Sequence, residues 1–199
     1  MAKRSGISTV NGFACLVLLL ATGCADDAGK SSGFSASTTP GCKRGLAWPG
    51  AELKEPDTAH GLSWWYNWSA SGKSHVPGVV FAPMVRAAGD VDGERVGAAK
   101  QAGAQNLLGF NEPNFFEQAN LSAAEAAKLW PQLEAIADKQ QLALVSPAVN
   151  FCGNDADKTG PCHDTNPFDY LTDFFAALSG CRVDYVTVHW YNCDTDSLN

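Results

Sequence analysis

The sequence predicts an α/β fold, a (β/α)8 TIM barrel that is truncated after its sixth strand. Six short apolar segments alternate with helical or loop segments, which indicates parallel strands joined by right-handed crossovers. Polar and aromatic residues collect at the carboxyl ends of nearly all six segments, as they do in (β/α)8 barrels. No glycine-rich phosphate loop follows the first segment, which disfavours a nucleotide-binding open sheet.

The six predicted strands are continuous apolar runs in several cases, which is typical of strands covered on both faces. A complete barrel of this kind needs about 250 residues. We therefore expect residues 42–199 to be the N-terminal part of a longer barrel domain. The predicted strands cover residues 44–48, 63–68, 79–85, 106–110, 142–146 and 183–190.

Three helices are predicted from their end signals. Ser122 and Glu125 form a capping box at the start of the second helix, and Pro131 is expected to bend that helix or mark its restart. Asn166 followed by Pro167 caps the third, and Gly180 is expected to end it. The predicted helices cover residues 94–102, 122 to about 140, and 166–180.

The first 23 residues are predicted to be a lipoprotein signal peptide. Lys3 and Arg4 precede an apolar run over residues 13–21, and small residues lead up to Cys24, the predicted lipidation site. Ordinary cleavage and an uncleaved anchor are the alternatives. Residues 24–41 are rich in Ser, Gly, Thr and Asp and form a predicted flexible tether. We expect an exported lipoprotein at the outer membrane or cell surface, because Ala25 is not the Asp associated with inner-membrane retention.

The net charge of −7 argues against nucleic acid and against anionic lipid headgroups as partners. A neutral or cationic small molecule or polymer fits better. We expect a monomer without a cofactor, whose membrane contact is made only through the lipid anchor.

The cysteines suggest disulfide chemistry, because an exported chain reaches an oxidising compartment. Cys152 and Cys162 bracket a Gly/Asp-rich loop and are the predicted pair, while Cys181 and Cys193 flank a predicted strand that holds them apart. A zinc site is the competing interpretation. No C-x-x-C is present and His163 stands alone, so no metal site is expected.

Glu112 is the leading candidate for a catalytic acid. It follows the apolar strand of residues 106–110, which places it at the rim of a parallel sheet. Pro113 disfavours the α region for the residue before it, so we expect Glu112 to be extended. The alternative is a surface glutamate in a turn. Asn111 either contacts a ligand or caps the following turn.

Aromatic residues surround two other strand ends. Alternation along residues 64–68 places Trp64 and Tyr66 on one face and Trp65 and Asn67 on the other. Each Trp is either a core residue or a platform for a ligand. His189 is either a core histidine or a residue that orients a carboxylate.

Five motifs, in this order, resemble one known family. The chain from about residue 44 onwards is similar to the Asl1-like glycoside hydrolase catalytic core, glycoside hydrolase family 128 of clan A. The resemblance implies a (β/α)8 barrel that hydrolyses the polysaccharide β-1,3-glucan with retention of configuration. The motifs are Trp-Trp-Tyr-Asn-Trp (64–68), Ala-Pro-Met (82–84), Gly-Phe-Asn-Glu-Pro-Asn (109–114), Ser-Pro-Ala (146–148) and Val-His-Trp-Tyr (188–191).

The resemblance also implies roles for individual residues. Glu112 would be the general acid/base, and Asn111 would contact the sugar next to the cleaved bond. The residues implied to line the cleft are Trp65, Asn67, His189, Trp190 and Tyr191.

The sequence departs from the family in one respect. Retaining hydrolysis needs a second carboxylate about 5 Å from the first. In the family this is a Glu at the end of the seventh strand, and the 199 residues end before that strand. We therefore expect this chain to be inactive alone. The alternatives are a non-catalytic carbohydrate-binding lipoprotein and a hydrolase of another β-linked polymer.

Overall fold

The computed structural model describes residues 44–54, 61–154 and 156–191. The predicted signal peptide, tether and Cys24 lie outside these residues. None of the described helices is both long and apolar enough to cross a membrane. The strands are β1 (Gly45–Ala47), β2 (Glu52–Leu53), β3 (Trp64–Tyr66), β4 (Lys73–Ser74), β5 (Val80–Phe81), β6 (Asn106–Leu108) and β7 (Ala143–Val145), and the helices are α1 (Gly93–Gln101), α2 (Ala123–Gln140) and α3 (Pro167–Ala177).

The strands pair in parallel and in chain order. β1, β3 and β5 form one sheet, and β6 pairs with β7 in a second. Single parallel bridges connect Met84 to Leu108 and Val145 to Tyr185. Five predicted strands therefore contain β1, β3, β5, β6 and β7, whereas residues 183–190 form isolated bridges rather than a strand.

The predicted α/β class with parallel strands is confirmed. The described residues do not close into a barrel, because β1 has β3 as its one strand partner and forms no ladder with residues 183–190. A third sheet, the parallel pair β2 with β4, lies outside the six predicted strands. Its strands are two residues long, too short to give a periodic signal in the sequence.

The predicted start signals of α2 and α3 are confirmed, and α1 has a cap that was not predicted. Asp92 caps α1 by accepting hydrogen bonds from the backbone N–H groups of Glu94 and Arg95. Ser122 and Glu125 form the reciprocal capping box of α2. The side chain of Asn166 caps α3, which ends at Ala177 rather than at Gly180 because Leu178 already has extended backbone angles.

Pro131 does not interrupt α2, which is one helix over its whole length. Pro131 is exposed, so its ring points away from the core, while Trp130 and Leu133 on either side are fully buried. Burial of two large side chains is worth several kcal/mol and offsets the roughly 3 kcal/mol cost of an internal proline.

The core that supports the carboxyl end of β6 is centred on Trp130. Its ring packs edge-on against Phe110 and Phe174, with ring centroids 6.2 and 5.1 Å away, and its Nε1 donates to the carbonyl of Arg182. A Cβ on Gly109 would lie 2.8 Å from the carbonyl oxygen of Val145 and 3.0 Å from the Trp130 ring. Gly109 therefore lets the chain pass between α2 and β7 just before Asn111 and Glu112.

The predicted disulfide is present. Cys152 and Cys162 are bonded, with their Cα atoms 6.4 Å apart, and Cys181 has a free thiol. The bridged loop is joined to the loop after Glu112, because the backbone N–H of Phe116 donates to the carbonyl of Pro161 and that of His163 to the carbonyl of Asn114. The disulfide thus braces the segment that carries Glu112.

Candidate active site

Glu112 lies where β6 leaves the sheet. Asn111 forms a parallel bridge with Ala148, and the backbone N–H of Glu112 donates to the carbonyl of Ala148 at 2.7 Å. The φ angle of Glu112 is 40°, so the expectation of an extended residue is wrong. The bridge to Ala148, together with a turn in which Phe115 N–H donates to the carbonyl of Glu112, overrides the local preference set by Pro113.

The carboxylate of Glu112 contacts a histidine. Oε1 lies 2.8 Å from Nδ1 of His189, and both side chains are largely buried, at 11% and 15% exposure. The Tyr191 hydroxyl lies 3.4 Å from the same Nδ1. Burial, the negative charge of Glu112 and a hydrogen bond with it raise the pKa of Tyr191, so the phenol keeps its proton at neutral pH.

A second set of polar contacts holds Asn111. Its Nδ2 donates to Oε1 of Gln118 at 3.1 Å, and Arg86 donates to the same oxygen at 3.3 Å. Asn111 is almost fully buried, with 3% of its surface exposed. Gln118 therefore fixes the direction of the Asn111 amide. The Oδ1 atom of Asn111 accepts no hydrogen bond from any described residue.

An open cavity of about 480 Å³ is lined in part by Glu112, Asn111 and Gln118. Asn67 is held at its rim by hydrogen bonds from Nδ2 to the carbonyls of Gly50 and Ser71, and its Oδ1 finds no donor in the described part of the chain. Two carboxamide oxygens of the lining residues are thus without a donor. The cavity is lined by Asn67, Trp68, Arg86, Asn111, Glu112, Gln118 and Tyr191.

The predicted cleft role of Trp65 is corrected by its position. Trp65 is fully buried and its ring packs on Phe81, with centroids 4.9 Å apart. The adjacent ring that does line the cavity is Trp68, whose φ of 57° turns it away from the strand alternation. Strand alternation identifies two faces, but neighbouring layers decide which face is covered.

The other predicted site residues divide into two groups. Glu112, Asn111, Asn67, His189 and Tyr191 are brought together at one end of the sheet, because they line the cavity or contact Glu112. Trp190, next to His189, instead packs its ring on Phe151 at a centroid distance of 5.9 Å.

Sequence reasoning missed four residues of the site. Trp68 and Arg86 stand at the ends of predicted strands, so the strand-end rule identified their places but not their importance. Tyr66 lies close enough to Tyr191 and Glu112 that these groups, after burial, raise its pKa. Gln118 is in a loop and carried no signal in the sequence.

A metal is not indicated by the donor set. No group of three or more His, Cys, Asp or Glu side chains suited to a metal ion occurs within residues 44–54, 61–154 and 156–191. Among the described side chains that line the cavity, Glu112 is the one carboxylate. The arrangement can donate and accept one proton at Glu112 and can bind hydroxyl groups through the amides.

Comparisons with known proteins agree on one family. The model of the glycosyl hydrolase catalytic core matches residues 45–199. Alkali-sensitive linkage protein 1 of Schizosaccharomyces pombe is 30% identical over 164 residues, which are 78% of this chain and 27% of that protein.

Solved structures of family 128 enzymes are also similar. An endo-β-1,3-glucanase of subgroup II from Sorangium cellulosum is 50% identical, with a TM-score of 0.63 over 75% of this chain and 60% of its own. A subgroup I endo-β-1,3-glucanase from Amycolatopsis mediterranei, in complex with laminaritriose, is 34% identical, with a TM-score of 0.57 over 77% of this chain and 59% of its own.

A third structure is a curdlan-specific exo-β-1,3-glucanase of subgroup III from Blastomyces gilchristii, which is 27% identical with a TM-score of 0.65. The alignment covers 78% of this chain and 65% of that enzyme's chain. The chain thus spans about a quarter of the curated relative and less than two thirds of each of these solved chains. This chain belongs to the glycosyl hydrolase catalytic-core family, as an Asl1-like domain of glycoside hydrolase family 128.

Proposed function

We propose that this chain carries the acid/base half of a retaining glycoside hydrolase that cleaves β-1,3-glucan. The observation that carries the proposal is the largely buried Glu112 carboxylate, 2.8 Å from Nδ1 of His189, beside a cavity whose other lining residues include amides and the Trp68 ring. The substrate class is supported by the β-1,3-glucanases among its structural neighbours. The truncated (β/α)8 barrel stays part of the proposal, supported by parallel strands in chain order.

Glu112 acts in both steps of the proposed reaction. In the first step, the protonated Glu112 gives its proton to the glycosidic oxygen as the bond from that oxygen to C1 breaks, while a second carboxylate bonds to C1. In the second step, the Glu112 carboxylate takes a proton from water, the water oxygen bonds to C1, and the second carboxylate leaves.

The neighbours of Glu112 have supporting roles in this scheme. His189 holds Oε1 and so fixes the direction of the carboxyl group. Asn111 and Asn67 line the cavity, and in this scheme their carboxamides contact sugar hydroxyl groups. Such contacts beside the reacting carbon strengthen in the transition state of glycoside cleavage.

The second carboxylate must come from outside the described lining of the cavity, in which Glu112 is the one carboxylate. Without that group the glycosyl-enzyme intermediate cannot form. We therefore expect the 199-residue chain to bind β-1,3-gluco-oligosaccharides and not to cleave them. Turnover of laminarihexaose by this chain, lost in Glu112→Gln, would contradict this expectation.

The role of Glu112 is tested in a form of the protein that includes the second carboxylate. Glu112→Gln should lower turnover of laminarihexaose by about 10²- to 10⁴-fold, because it removes the proton donor but keeps the shape of the side chain. The matched control is Glu117→Gln, an exposed glutamate of the same loop, which should leave turnover unchanged. Equal effects of the two substitutions would disprove the assignment.

A non-catalytic carbohydrate-binding lipoprotein is the second candidate function. It is favoured by the lining of the cavity, in which Glu112 is the one carboxylate among the described residues and the amides and Trp68 can contact a sugar without a second carboxylate. Binding of laminarihexaose by every form of the protein, with no product released by any of them, would select this candidate.

We also propose that the protein is exported and anchored by lipid at Cys24. The proposal rests on the charged start, the apolar run and the small residues before Cys24. Incorporation of labelled palmitate that depends on Cys24 would support this address. Labelling that persists in Cys24→Ala would argue against it.

A further inference from the structure

Asn114, which follows Glu112 and Pro113, joins the segment of the proposed acid to the disulfide loop, residues 152–162. Asn114 is fully buried, and its Nδ2 donates to the carbonyl of Asn150 at 2.8 Å and to that of Asp164 at 3.0 Å. These two carbonyls lie just before and just after the disulfide loop. One amide group therefore holds both ends of that loop against the segment that carries the acid.

The two acceptors explain why an asparagine occupies this position. The NH2 end of its amide supplies two N–H donors, one for each carbonyl, whereas an aspartate of the same shape would supply none. An apolar side chain would leave both carbonyls without a donor in a buried place, which is costly. The Oδ1 atom of Asn114 accepts no hydrogen bond from any described residue, so its two donors set the direction of the amide.

The main chain strengthens the same junction. The carbonyl of Asn114 accepts a hydrogen bond from the backbone N–H of His163 at 2.8 Å, and Phe115 forms an antiparallel bridge with Cys162. These main-chain contacts involve the end of the disulfide loop near Cys162. The side chain of Asn114 adds the contact at the other end, through the carbonyl of Asn150.

Glu112 needs such support because its backbone conformation is strained. Its φ of 40° is uncommon for a residue with a side chain, and this conformation persists where surrounding contacts impose it. A proton donor must also be placed accurately, since a displacement of about 1 Å can lower a catalytic rate by about 10²-fold. Loss of the junction would let the turn relax and move the carboxyl group away from His189 and from the glycosidic oxygen.

We propose that Asn114 is a positioning residue for Glu112, which it places by anchoring the following turn to both ends of the disulfide loop. This proposal rests on the proposed function and adds to it the part of the fold that places the acid. Asn114 is fully buried and is not among the residues that line the cavity, so it acts through Glu112 rather than on the sugar.

The experiment compares two substrates that differ in their need for a proton donor. Laminarihexaose releases a sugar alcohol group, which must be protonated as it leaves, whereas a dinitrophenyl β-laminaritrioside releases a stable phenolate that needs no proton. The ratio kcat/KM is measured for both substrates, because it reports the loss of transition-state stabilisation relative to free enzyme and substrate. The protein is the form that includes the second carboxylate.

Asn114→Ala should lower kcat/KM for laminarihexaose by about 30-fold and kcat/KM for the dinitrophenyl substrate by less than about threefold. Glu112→Gln, measured alongside, should show the same selectivity with a larger loss on laminarihexaose. The matched control is Asn154→Ala. Asn154 is an exposed asparagine of the same disulfide loop, and its Nδ2 donates to Asp157 within that loop. This variant should change neither value.

Three outcomes would disprove the positioning role of Asn114. They are an equal loss on both substrates in Asn114→Ala, which shows a general effect on folding or binding, no loss on either substrate, and a selective loss of the same size in Asn154→Ala. The proposed function stands in each case if Glu112→Gln remains selective. If Glu112→Gln itself shows no selective loss on laminarihexaose, the proposed function fails as well.

Discussion

The two ends of the parallel sheet handle their polar groups in opposite ways. At the amino end, Arg182 binds Asp138 at 2.8 Å, forms an ion pair with Asp184 and donates to the carbonyl of Leu142. Asp184 in turn accepts from the backbone N–H of Leu144 at 2.7 Å. At the carboxyl end, Glu112 has a histidine beside it and no Lys or Arg partner within salt-bridge distance among the described residues.

The two ends of the sheet have cavities of similar size, but the polar groups around those cavities differ. The amino end has an open cavity of about 560 Å³ beside Arg182 and Asp184, slightly larger than the one at Glu112. Its charged side chains are paired with each other, although Nε of Arg182 has no hydrogen-bond partner among the described residues. At the carboxyl end, the carboxamide oxygens of Asn111 and Asn67 are buried and find no donor among the described residues, which costs stability. The amino end is therefore held together by ion pairs, whereas the described carboxylate of the cavity at the carboxyl end has no Lys or Arg partner.

The largest effect on stability is expected from Arg182→Met. This change removes the partner of Asp138 and Asp184 and should lower the free energy of unfolding by about 2 kcal/mol, less than a fully buried pair because Arg182 is 33% exposed. Urea unfolding measures it. Oligosaccharide binding should not change.

The control for that substitution is Arg95→Met, which removes an exposed ion pair with Asp92 at 3.1 Å. This substitution should lower the free energy of unfolding by less than about 0.5 kcal/mol. If the two substitutions cost the same, Arg182 is not a stabilising centre, and the contrast between the ends of the sheet is lost.

Gln118→Ala tests the carboxyl end with a residue that supports little of the core. Gln118 is exposed, so the free energy of unfolding should change by less than about 0.5 kcal/mol. The substitution removes Gln118 Oε1, the acceptor that Asn111 and Arg86 share, and so frees both side chains. This should weaken laminaritriose binding about fivefold. Glu117→Ala, one residue earlier, should leave binding intact; an equal loss there would show a general effect of the loop.

The smallest effect is expected at Asp164, beside the disulfide loop. Burial, then the charges of Asp173 and Asp169, raise its pKa, against the opposing effect of His163 and Lys158. The folded state thus holds this proton to higher pH than the unfolded state, so Asp164 costs stability as pH rises above its unfolded pKa of about 3.9.

Asp164→Asn removes this cost. The variant should be more stable than wild type by on the order of 0.5 kcal/mol at pH 7, after allowance for solvent screening, and the gain should vanish at pH 3. Thermal melts at both pH values measure the difference. A gain that is equal at both would show that the charge of Asp164 is not its cause.

The predictions that succeeded depend on signals within a few residues. Ser122 with Glu125, and Asn166 with Pro167, define helix starts because capping involves neighbours in the sequence. The apolar run before Asn111 and Glu112 likewise places the carboxylate at the end of β6. The disulfide was predictable because Cys152 and Cys162 close a short loop.

The sequence by itself thus determined the helices, five of the strands, the family and the position of Glu112 at a strand end. The tertiary structure decided which face of β3 is covered, which puts Trp65 in the core and Trp68 at the cavity. It also set the positive φ of Glu112, through its contact with Ala148, and brought Gln118 to Asn111. These features depend on contacts between segments distant in the chain, which no local pattern records.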